Sequence, residues 1–197
     1  MLDGKYKLAQ YNQWDSYPNG QGKVALAFCK KWLTDNDRAS QFISNLSGCR
    51  YVPFSEISQF YKDNGIGTSY SFGQLNLFNK RYPYFSRDHG AKILEMIATD
   101  GPGDLQDEIN FAGDSLMCEW AYVIDLDQMT FEVYKGFNKT PLKESDRFYS
   151  EEYLNFPMEH QAKPYQYTQI RMVMKFDINA LPEEDIFLSY FKVEDDE

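Results

Sequence analysis

The chain has 197 residues, of which 43% are hydrophobic and 25% are charged, and this composition excludes a wholly disordered protein. Its formal net charge is −10 at pH 7, which argues against direct binding to nucleic acids or anionic membranes, because both repel an acidic chain. No stretch approaches the roughly 18 apolar residues of a membrane span, so we expect no membrane partner.

The first half of the chain is predicted to contain one strand and several helices. Lys5–Tyr11 combines partial alternation with strand-forming aromatic residues, which favours a strand. In Gln21–Leu33 the apolar residues recur at helical spacing and predict a helix with one wide apolar face. Ser71 and Gln74 have the spacing of a capping box at the start of another helix. Further short helices are expected after the caps Asp37, Ser55 and Ser86.

Three strands and a terminal helix are predicted in the second half. Trp120–Leu126 and Thr130–Tyr134 are rich in strand-forming residues, and the short connection Asp127–Met129 between them predicts a hairpin. Tyr167–Phe176 alternates in hydrophobicity and predicts another strand. A short helix is expected to open at Leu181-Pro182, because proline suits the first turn.

These elements predict one α+β domain. Strands lie near the two ends of the chain with helices between them, so the N-terminal strand must return to pair with the central hairpin. We therefore expect an antiparallel sheet of about four strands, formed by the N-terminal strand, the central hairpin and the C-terminal strand and covered by helices. The domain would span residues 1–193, and residues 194–197 would form an acidic C-terminal tail.

The cysteines indicate a reduced, cytoplasmic setting. The chain has three of them, Cys29, Cys49 and Cys118, without a CxxC or Cys/His spacing that would bind zinc. Cys29 and Cys118 lie in or beside apolar runs, so we expect both to be buried. We expect neither a metal ion nor a cofactor.

The segment from Gln10 to Gly22 is the most unusual part of the chain. It combines side-chain amides and a carboxylate with aromatic side chains and glycines, a mixture that can recognise a polar ligand or a protein partner. The candidate binding residues are Gln13, Trp14, Asp15, Tyr17, Asn19 and Gln21. The alternative is a structural strand-to-helix turn, in which Asp15 and Asn19 form local caps and Trp14 fills the core.

Acidic residues gather around the predicted hairpin. Asp125 and Asp127 are two residues apart and would lie on the same face of a strand, where they could bind a divalent cation or act as an acid/base pair. Carboxylates at the end of a hairpin are also commonly hydrated or turn-forming, and this alternative stays open. The two histidines, His89 and His160, have no neighbouring Ser or Cys in a known nucleophile motif.

Two stretches resemble the signatures of a known family. Ala9–Gly22 is similar to the AQYxQWDxYPxGQG signature of an uncharacterised family of small bacterial and phage proteins, and Asp114–Asp127 resembles a second signature of that family. The resemblance implies an origin in a phage or another mobile element. The N-terminal part also resembles N-terminal-nucleophile hydrolases, in which the first strand ends in a polar segment with Asp and Trp. Their mechanism requires Cys, Ser or Thr at the mature N-terminus, whereas this chain begins with Met1 and Leu2.

These observations leave two functional hypotheses. The first is a non-enzymatic cytoplasmic binding protein with a protein partner, such as a phage-borne modulator of a host or defence protein. It follows from the acidic charge, the 17% aromatic content and the missing catalytic motif. The second is a hydrolase with an N-terminal-nucleophile-like fold that uses the Gln10–Gly22 segment together with Asp125 or Asp127. Catalysis would require that Gln13, Asp15 and the hairpin carboxylates converge on one pocket.

Overall fold

The computed structural model describes residues 1–67, 71–149 and 167–191. The predicted acidic tail at 194–197 lies outside these ranges, as does His160. Helices and strands are mixed along the described chain, which confirms the predicted combination of α and β structure. None of the described helices is long and apolar enough to cross a membrane.

The predicted helix over Gln21–Leu33 is confirmed, although the helical backbone begins earlier. The central part is α1 (Lys23–Phe28), and π-helical turns at Pro18–Gly22 and Cys29–Leu33 extend it at both ends. Proline at the start suits a first helical turn, because its missing amide would have no partner there. The other described α-helices are α2 (Asn36–Gly48), α3 (Phe54–Asp63), α4 (Phe72–Arg81), α5 (Lys92–Asp100) and α6 (Glu184–Ser189).

The predicted capping box is confirmed at the start of α4. The Ser71 amide donates to the Gln74 side chain at 2.9 Å, and the Gln74 amide donates to the Ser71 hydroxyl at 3.3 Å. Elsewhere the predicted caps are wrong, since the residues that precede α2, α3 and α5 are Asp35, Pro53 and Ala91 rather than Asp37, Ser55 and Ser86. At α2 the reason is local, because the Asp35 carboxylate accepts the Arg38 amide at 3.0 Å.

The predicted hairpin is confirmed as β3 (Trp120–Asp125) and β4 (Thr130–Lys135). The C-terminal strand, β5 (Arg171–Asp177), pairs with β4 and begins at Arg171 rather than at Tyr167. The three strands form an antiparallel sheet in the order β3-β4-β5, so β3 and β5 are its edges.

The prediction of one four-stranded antiparallel sheet is wrong, because the predicted N-terminal strand, Lys5–Tyr11, does not join the hairpin. A separate parallel pair is formed by β1 (Arg50–Tyr51) and β2 (Asp104–Leu105). Ala9 makes a parallel bridge to Asp107, just beyond β2, and its carbonyl accepts the Glu108 amide at 3.1 Å. The strand predicted over Lys5–Tyr11 is therefore wrong, since this segment has only isolated bridges at Lys5 and Ala9 and a bend at Lys7.

The main core lies between the three-stranded sheet and the helices α1, α2, α5 and α6. Phe131 of β4 is at its centre, with ring centroids 6.1 Å from Tyr122, 6.3 Å from Phe176 and 6.0 Å from Phe187. A second apolar cluster packs on the other face of the sheet around Val123, Tyr134, Phe148 and Ile170. Cys29 and Cys118 are both buried, as predicted.

Replacing Phe131 with alanine is expected to lower the free energy of unfolding by about 3–5 kcal/mol, because it leaves a cavity between the sheet and α6. Phe54→Ala is the matched control, since the Phe54 side chain is 80% exposed and its loss should cost less than about 0.5 kcal/mol. Urea unfolding followed by circular dichroism measures both values. Equal losses in the two variants would contradict the central position of Phe131.

Candidate functional site

Most of the Gln10–Gly22 segment lines a cleft with a volume of about 470 Å³. Another wall is the run Met117–Ile124, which contains the edge of β3 that does not pair with β4. Buried apolar side chains from three helices line its inner end, namely Ala25, Phe42, Leu46 and Ile93. A cleft of this volume is large enough to hold a small molecule or a short stretch of peptide.

Backbone hydrogen bonds fold this segment into a tight turn. Asp15 has a left-handed backbone, with φ of 56°, and its carbonyl accepts the Gln21 amide at 2.8 Å. The Gly20 amide donates to the Tyr17 carbonyl at 2.9 Å. Aspartate tolerates the left-handed region better than most residues. Asp15 therefore has a backbone role in the turn, but the local side-chain cap that the turn alternative predicts for it is wrong, because Tyr17 precedes the helical turn and no side chain caps it.

Side chains attach the turn to the loop before α5. The Gln10 side-chain amide donates to the Ser86 carbonyl at 3.0 Å, and the Ala91 amide donates to the Gln21 side-chain oxygen at 2.8 Å. Gly90 has φ of 51°, and a Cβ atom there would lie 2.3 Å from the Gln21 oxygen. Glycine is thus required at this position both by the backbone conformation and by the close approach of the side chain.

Tyr122 connects the turn to β3. Its hydroxyl donates to the Ser16 carbonyl at 2.8 Å. A Cβ atom at Gly22 would lie only 2.7 Å from that hydroxyl oxygen, so a larger residue would displace the ring. Burial raises the pKa of Tyr122 far above its ordinary value, and the hydroxyl therefore remains a donor at any physiological pH.

The aromatic side chains of the turn face outward. Trp14 is 62% exposed and Tyr17 is 52% exposed, so the expectation in the turn alternative that Trp14 fills the core is wrong. Gln13 and Asp15 are also exposed, and within the described ranges no hydrogen bond uses either side chain. The turn thus presents the side chains of Gln13, Trp14, Asp15 and Tyr17 at the cleft. Within the described ranges the Gln13 side-chain amide and the Asp15 carboxylate have no hydrogen-bond partner in the protein.

The cleft brings together five of the eight predicted binding residues, which are Gln13, Trp14, Asp15, Tyr17 and Gln21. Asn19 is exposed but lies outside the lining, and neither Asp125 nor Asp127 lines the cleft. The sequence-based prediction missed the lining residues Glu108, Glu119 and Tyr122. Glu119 and Tyr122 fall within the second signature-like stretch, Asp114–Asp127, and this stretch is the sequence feature that could have marked them as site residues.

Asp125 and Asp127 are used in turns, as the structural alternative for them predicts. The Asp125 carboxylate accepts the amides of Asp127 and Gln128, both at 3.0 Å. The Asp127 carboxylate accepts the amides of Asp3 and Gly4, both at 2.8 Å. Across the described ranges no group of three or more His, Cys, Asp or Glu side chains could hold a metal ion. The acid/base pair of the hydrolase hypothesis is therefore not assembled at the cleft.

Asp125 also belongs to a buried cluster of charges around Arg147. The Arg147 guanidinium donates to Asp125 at 2.6 Å and to Glu132 at 2.7 and 2.8 Å. The Tyr134 hydroxyl donates to the Glu132 carboxylate at 2.7 Å, and the Lys175 ammonium lies 3.4 Å from the same carboxylate. Asp125 is only 1% exposed and Glu132 only 2%. This cluster connects the segment after β4 to the sheet, and no local sequence pattern predicts it.

Arg147 keeps both buried carboxylates ionised. Burial by itself would raise the pKa of Asp125, but hydrogen bonds from Arg147 and the Gln128 amide outweigh it and the pKa is lowered. Burial likewise opposes ionisation of Glu132, but hydrogen bonds from Arg147 and Tyr134 leave its pKa lowered as well. Buried carboxylates of this kind stabilise a fold only while their cationic partner is present.

The charged side chains that line the cleft are mostly acidic. Asp15, Glu108 and Glu119 line it together with Lys7, and Glu108 lies 3.5 Å from the Arg87 guanidinium. No histidine is among the described lining residues. The lining thiol is Cys118, and burial, together with the nearby carboxylate of Asp114, raises its pKa to about 12. This thiol stays protonated and is therefore a poor nucleophile.

Comparison with protein-family models, with curated proteins and with solved structures gave no significant match for this chain. The resemblances to the phage-protein signatures and to N-terminal-nucleophile hydrolases therefore stay predictions. A function has to be inferred from the geometry and the charges of the cleft.

Gly22→Ala is expected to lower the free energy of unfolding by about 1–3 kcal/mol, because the added methyl group overlaps the Tyr122 ring. Gly67→Ala is the matched control, since a Cβ atom there would meet open space. Thermal unfolding of the two variants measures the difference. If both variants were as stable as the parent protein, the close approach of Tyr122 to Gly22 would be refuted.

Arg147→Met is expected to lower the free energy of unfolding by about 3–5 kcal/mol at neutral pH, because it removes the guanidinium that donates to both buried carboxylates and leaves only the Lys175 ammonium beside Glu132. Arg171→Met is the control, since Arg171 is exposed at the start of β5. Denaturant unfolding at pH 7 measures both free energies.

The same pair of variants gives a pH test. Because the folded-state pKa values of Asp125 and Glu132 are lowered, their stabilisation is complete above the ordinary carboxyl pKa values of about 4 and is lost as pH falls through the lowered values. The difference in stability between the parent protein and Arg147→Met should therefore shrink on acidification. A difference that stays constant from pH 7 to about pH 3 would show that charge pairing is not its cause.

Proposed function

We propose that the chain is a non-enzymatic binding protein that holds a segment of a protein partner in the cleft between the Gln10–Gly22 segment and β3. The observation that carries this proposal is the exposure of Trp14 and Tyr17 at the cleft. Exposed aromatic side chains beside a cleft are typical anchors of protein–protein recognition, because they offer a large contact area at a low entropic cost.

The fixed backbone beneath these side chains supports the proposal. The turn is held by the Asp15–Gln21 hydrogen bond, by the side chain of Gln21 and by the Tyr122 hydroxyl. A surface that is already ordered loses little conformational entropy when a partner binds, so more of the contact energy appears as affinity. A turn with only a structural role would not need two large aromatic side chains in solvent.

Charge gives the partner a chemical character. The chain carries a formal charge of −10, and Asp15 and Glu119 add carboxylates to the cleft. A basic partner surface would be steered towards such a protein, and salt would weaken the association. In the cytoplasmic setting that the cysteines indicate, and with the phage origin that the signature resemblance implies, the partner would be a host or defence protein whose basic surface the chain occupies.

The hydrolase alternative has little support from the geometry of the cleft. Nucleophilic catalysis requires a nucleophile and a base within hydrogen-bond reach of each other. Among the described lining residues, Cys118 is buried and protonated, and there is no histidine to act as a base. The carboxylates of Asp125 and Asp127 are bound in turns outside the cleft.

Affinity capture of the tagged chain from a bacterial lysate, at low and at high salt, tests the proposal. We expect one stoichiometric partner with the parent protein, and a loss of at least about tenfold with the double variant Trp14→Ala/Tyr17→Ala. Asp15→Asn, which is nearly isosteric, should bind several-fold more weakly at low salt only. Phe54→Ala/Phe72→Ala is the control, because both side chains are highly exposed and lie outside the cleft lining.

Thermal unfolding of each variant separates binding from folding. All of the substituted side chains are exposed, so the melting temperatures should remain close to that of the parent protein. Capture that is unaffected by the Trp14/Tyr17 variant but lost in the Phe54/Phe72 variant would place the binding surface on α3 and α4 and refute the proposal. The absence of any partner would also contradict it and would favour a small-molecule role.

A further inference from the structure

The outer edge of β3 presents backbone groups to the cleft. The Glu119 carbonyl accepts the Gly136 amide at 2.8 Å, so the backbone groups of Glu119 face β4. Because alternate residues of a strand direct their N–H and C=O groups to opposite edges, those of Trp120, Tyr122 and Ile124 face away from β4. All three residues line the cleft.

One end of this edge is already paired with a single residue, Met1. The Leu126 amide donates to the Met1 carbonyl at 3.0 Å, and the Met1 nitrogen donates to the Ile124 carbonyl. This is the hydrogen-bond pattern of a parallel strand. The chain then turns away through a bridge between Leu2 and Lys5. In the part of the chain that the structure describes, no backbone group pairs with the amide or the carbonyl of Tyr122.

A side-chain acceptor on the opposite wall also lacks a donor. The Gln10 side-chain oxygen is buried and makes no hydrogen bond within the described ranges, although its amide group donates to the Ser86 carbonyl. An unpaired buried acceptor is unfavourable, and a donor entering the cleft would remove that penalty. Gln10 lies among the lining residues, so such a donor could come from an occupant of the cleft.

The two ends of the cleft differ in chemistry. Its inner end is apolar and is lined by buried side chains such as Phe42 and Ile93. The exposed side chains of Trp14, Tyr17 and Asp15 lie at its outer end. Successive side chains of an extended peptide point to opposite sides. A peptide that alternates apolar with basic residues would therefore place its apolar side chains inward and its cations next to carboxylates and aromatic faces.

We propose that the partner segment is an extended, basic peptide that adds as a strand to the outer edge of β3, between Trp120 and Ile124. This inference rests on the proposed function and specifies its recognition mode. Backbone hydrogen bonds to Tyr122 and Ile124 would supply affinity, and the alternation of apolar and basic side chains would supply specificity.

The test uses a capped synthetic peptide of about eight residues that alternates valine and lysine, long enough to cover the roughly 17 Å edge. The control peptide alternates valine and glutamate. We expect the lysine peptide to bind the full chain saturably and the glutamate peptide to bind at least about tenfold more weakly, because the charged side chains of the cleft are mostly carboxylates. Titration followed by tryptophan fluorescence measures both affinities.

Residue-resolved amide hydrogen exchange then tests the strand pairing. At saturation, exchange at the amides of Tyr122 and Ile124 should slow by about tenfold or more, because both would gain carbonyl partners. The amides of Ala121 and Val123, which face β4, should change little and serve as an internal control. A lysine peptide methylated on every backbone nitrogen should no longer bind.

Several results would overturn this inference. The first is that the lysine peptide does not bind, and the second is that it binds without slowing exchange at Tyr122 and Ile124. The third is that, without peptide, protection of these amides increases with protein concentration, which would identify a second copy as the occupant. If the Trp14/Tyr17 variant still abolished capture of a partner, the proposed function would stand and only the strand pairing would fall. If no protein partner were captured but the lysine peptide bound at the edge of β3, the proposed function would fall and the ligand would be a free peptide.

Discussion

Tyr122 is the residue on which the cleft depends. Its ring stacks on that of Phe131 in the core, with 6.1 Å between the ring centroids, and its hydroxyl donates to the carbonyl of Ser16 in the turn. The same residue contributes its backbone to the outer edge of β3. The position of the turn relative to the sheet is therefore fixed by one side chain that is anchored in the core. Because burial keeps its hydroxyl protonated, this connection does not change with physiological pH.

Two groups of charged side chains in this fold have different roles. Around Arg147, buried carboxylates are paired and their charge is neutralised locally, so they contribute to folding rather than to recognition. At the cleft, Asp15 is exposed and its carboxylate makes no described hydrogen bond. Only charges of the second kind are available to a partner. A count of acidic residues in the sequence does not separate the two groups, since Asp15 and Asp125 differ only in their surroundings.

Local patterns in the sequence predicted the elements that local physics determines. The Ser71–Gln74 capping box and the hairpin around Asp127–Met129 follow from residues that are close in the chain, and both were predicted. The position of Ala9 beside β2 was not predicted, because alternation indicates an extended chain without naming its neighbour. The ion pair between Asp125 and Arg147 was missed for a similar reason, as its partners are 22 residues apart.

The candidate site was predicted in composition but not in geometry. The mixture of amides and aromatic side chains marked Gln13, Trp14, Asp15 and Tyr17, and the structure places all four at the cleft. Sequence alone could not show whether Trp14 is inside or outside, because a tryptophan beside a glycine-rich turn is compatible with both. In the structure Trp14 is 62% exposed and directly precedes the left-handed backbone at Asp15.

An unpaired strand edge is normally a risk of aggregation, and proteins protect such edges with charge or by covering them. In this fold the outer edge of β3 lines a cleft, and the segment from Gln10 to Tyr17 forms another wall of that cleft beside it. Pairing between two copies would bring two sheets together edge to edge and two acidic chains into contact, which both the cleft wall and the charge of −10 oppose. A single extended chain is narrower than a sheet, and if it carries basic residues the same charge attracts it. The features that protect this edge against self-association are thus the ones that favour a basic peptide.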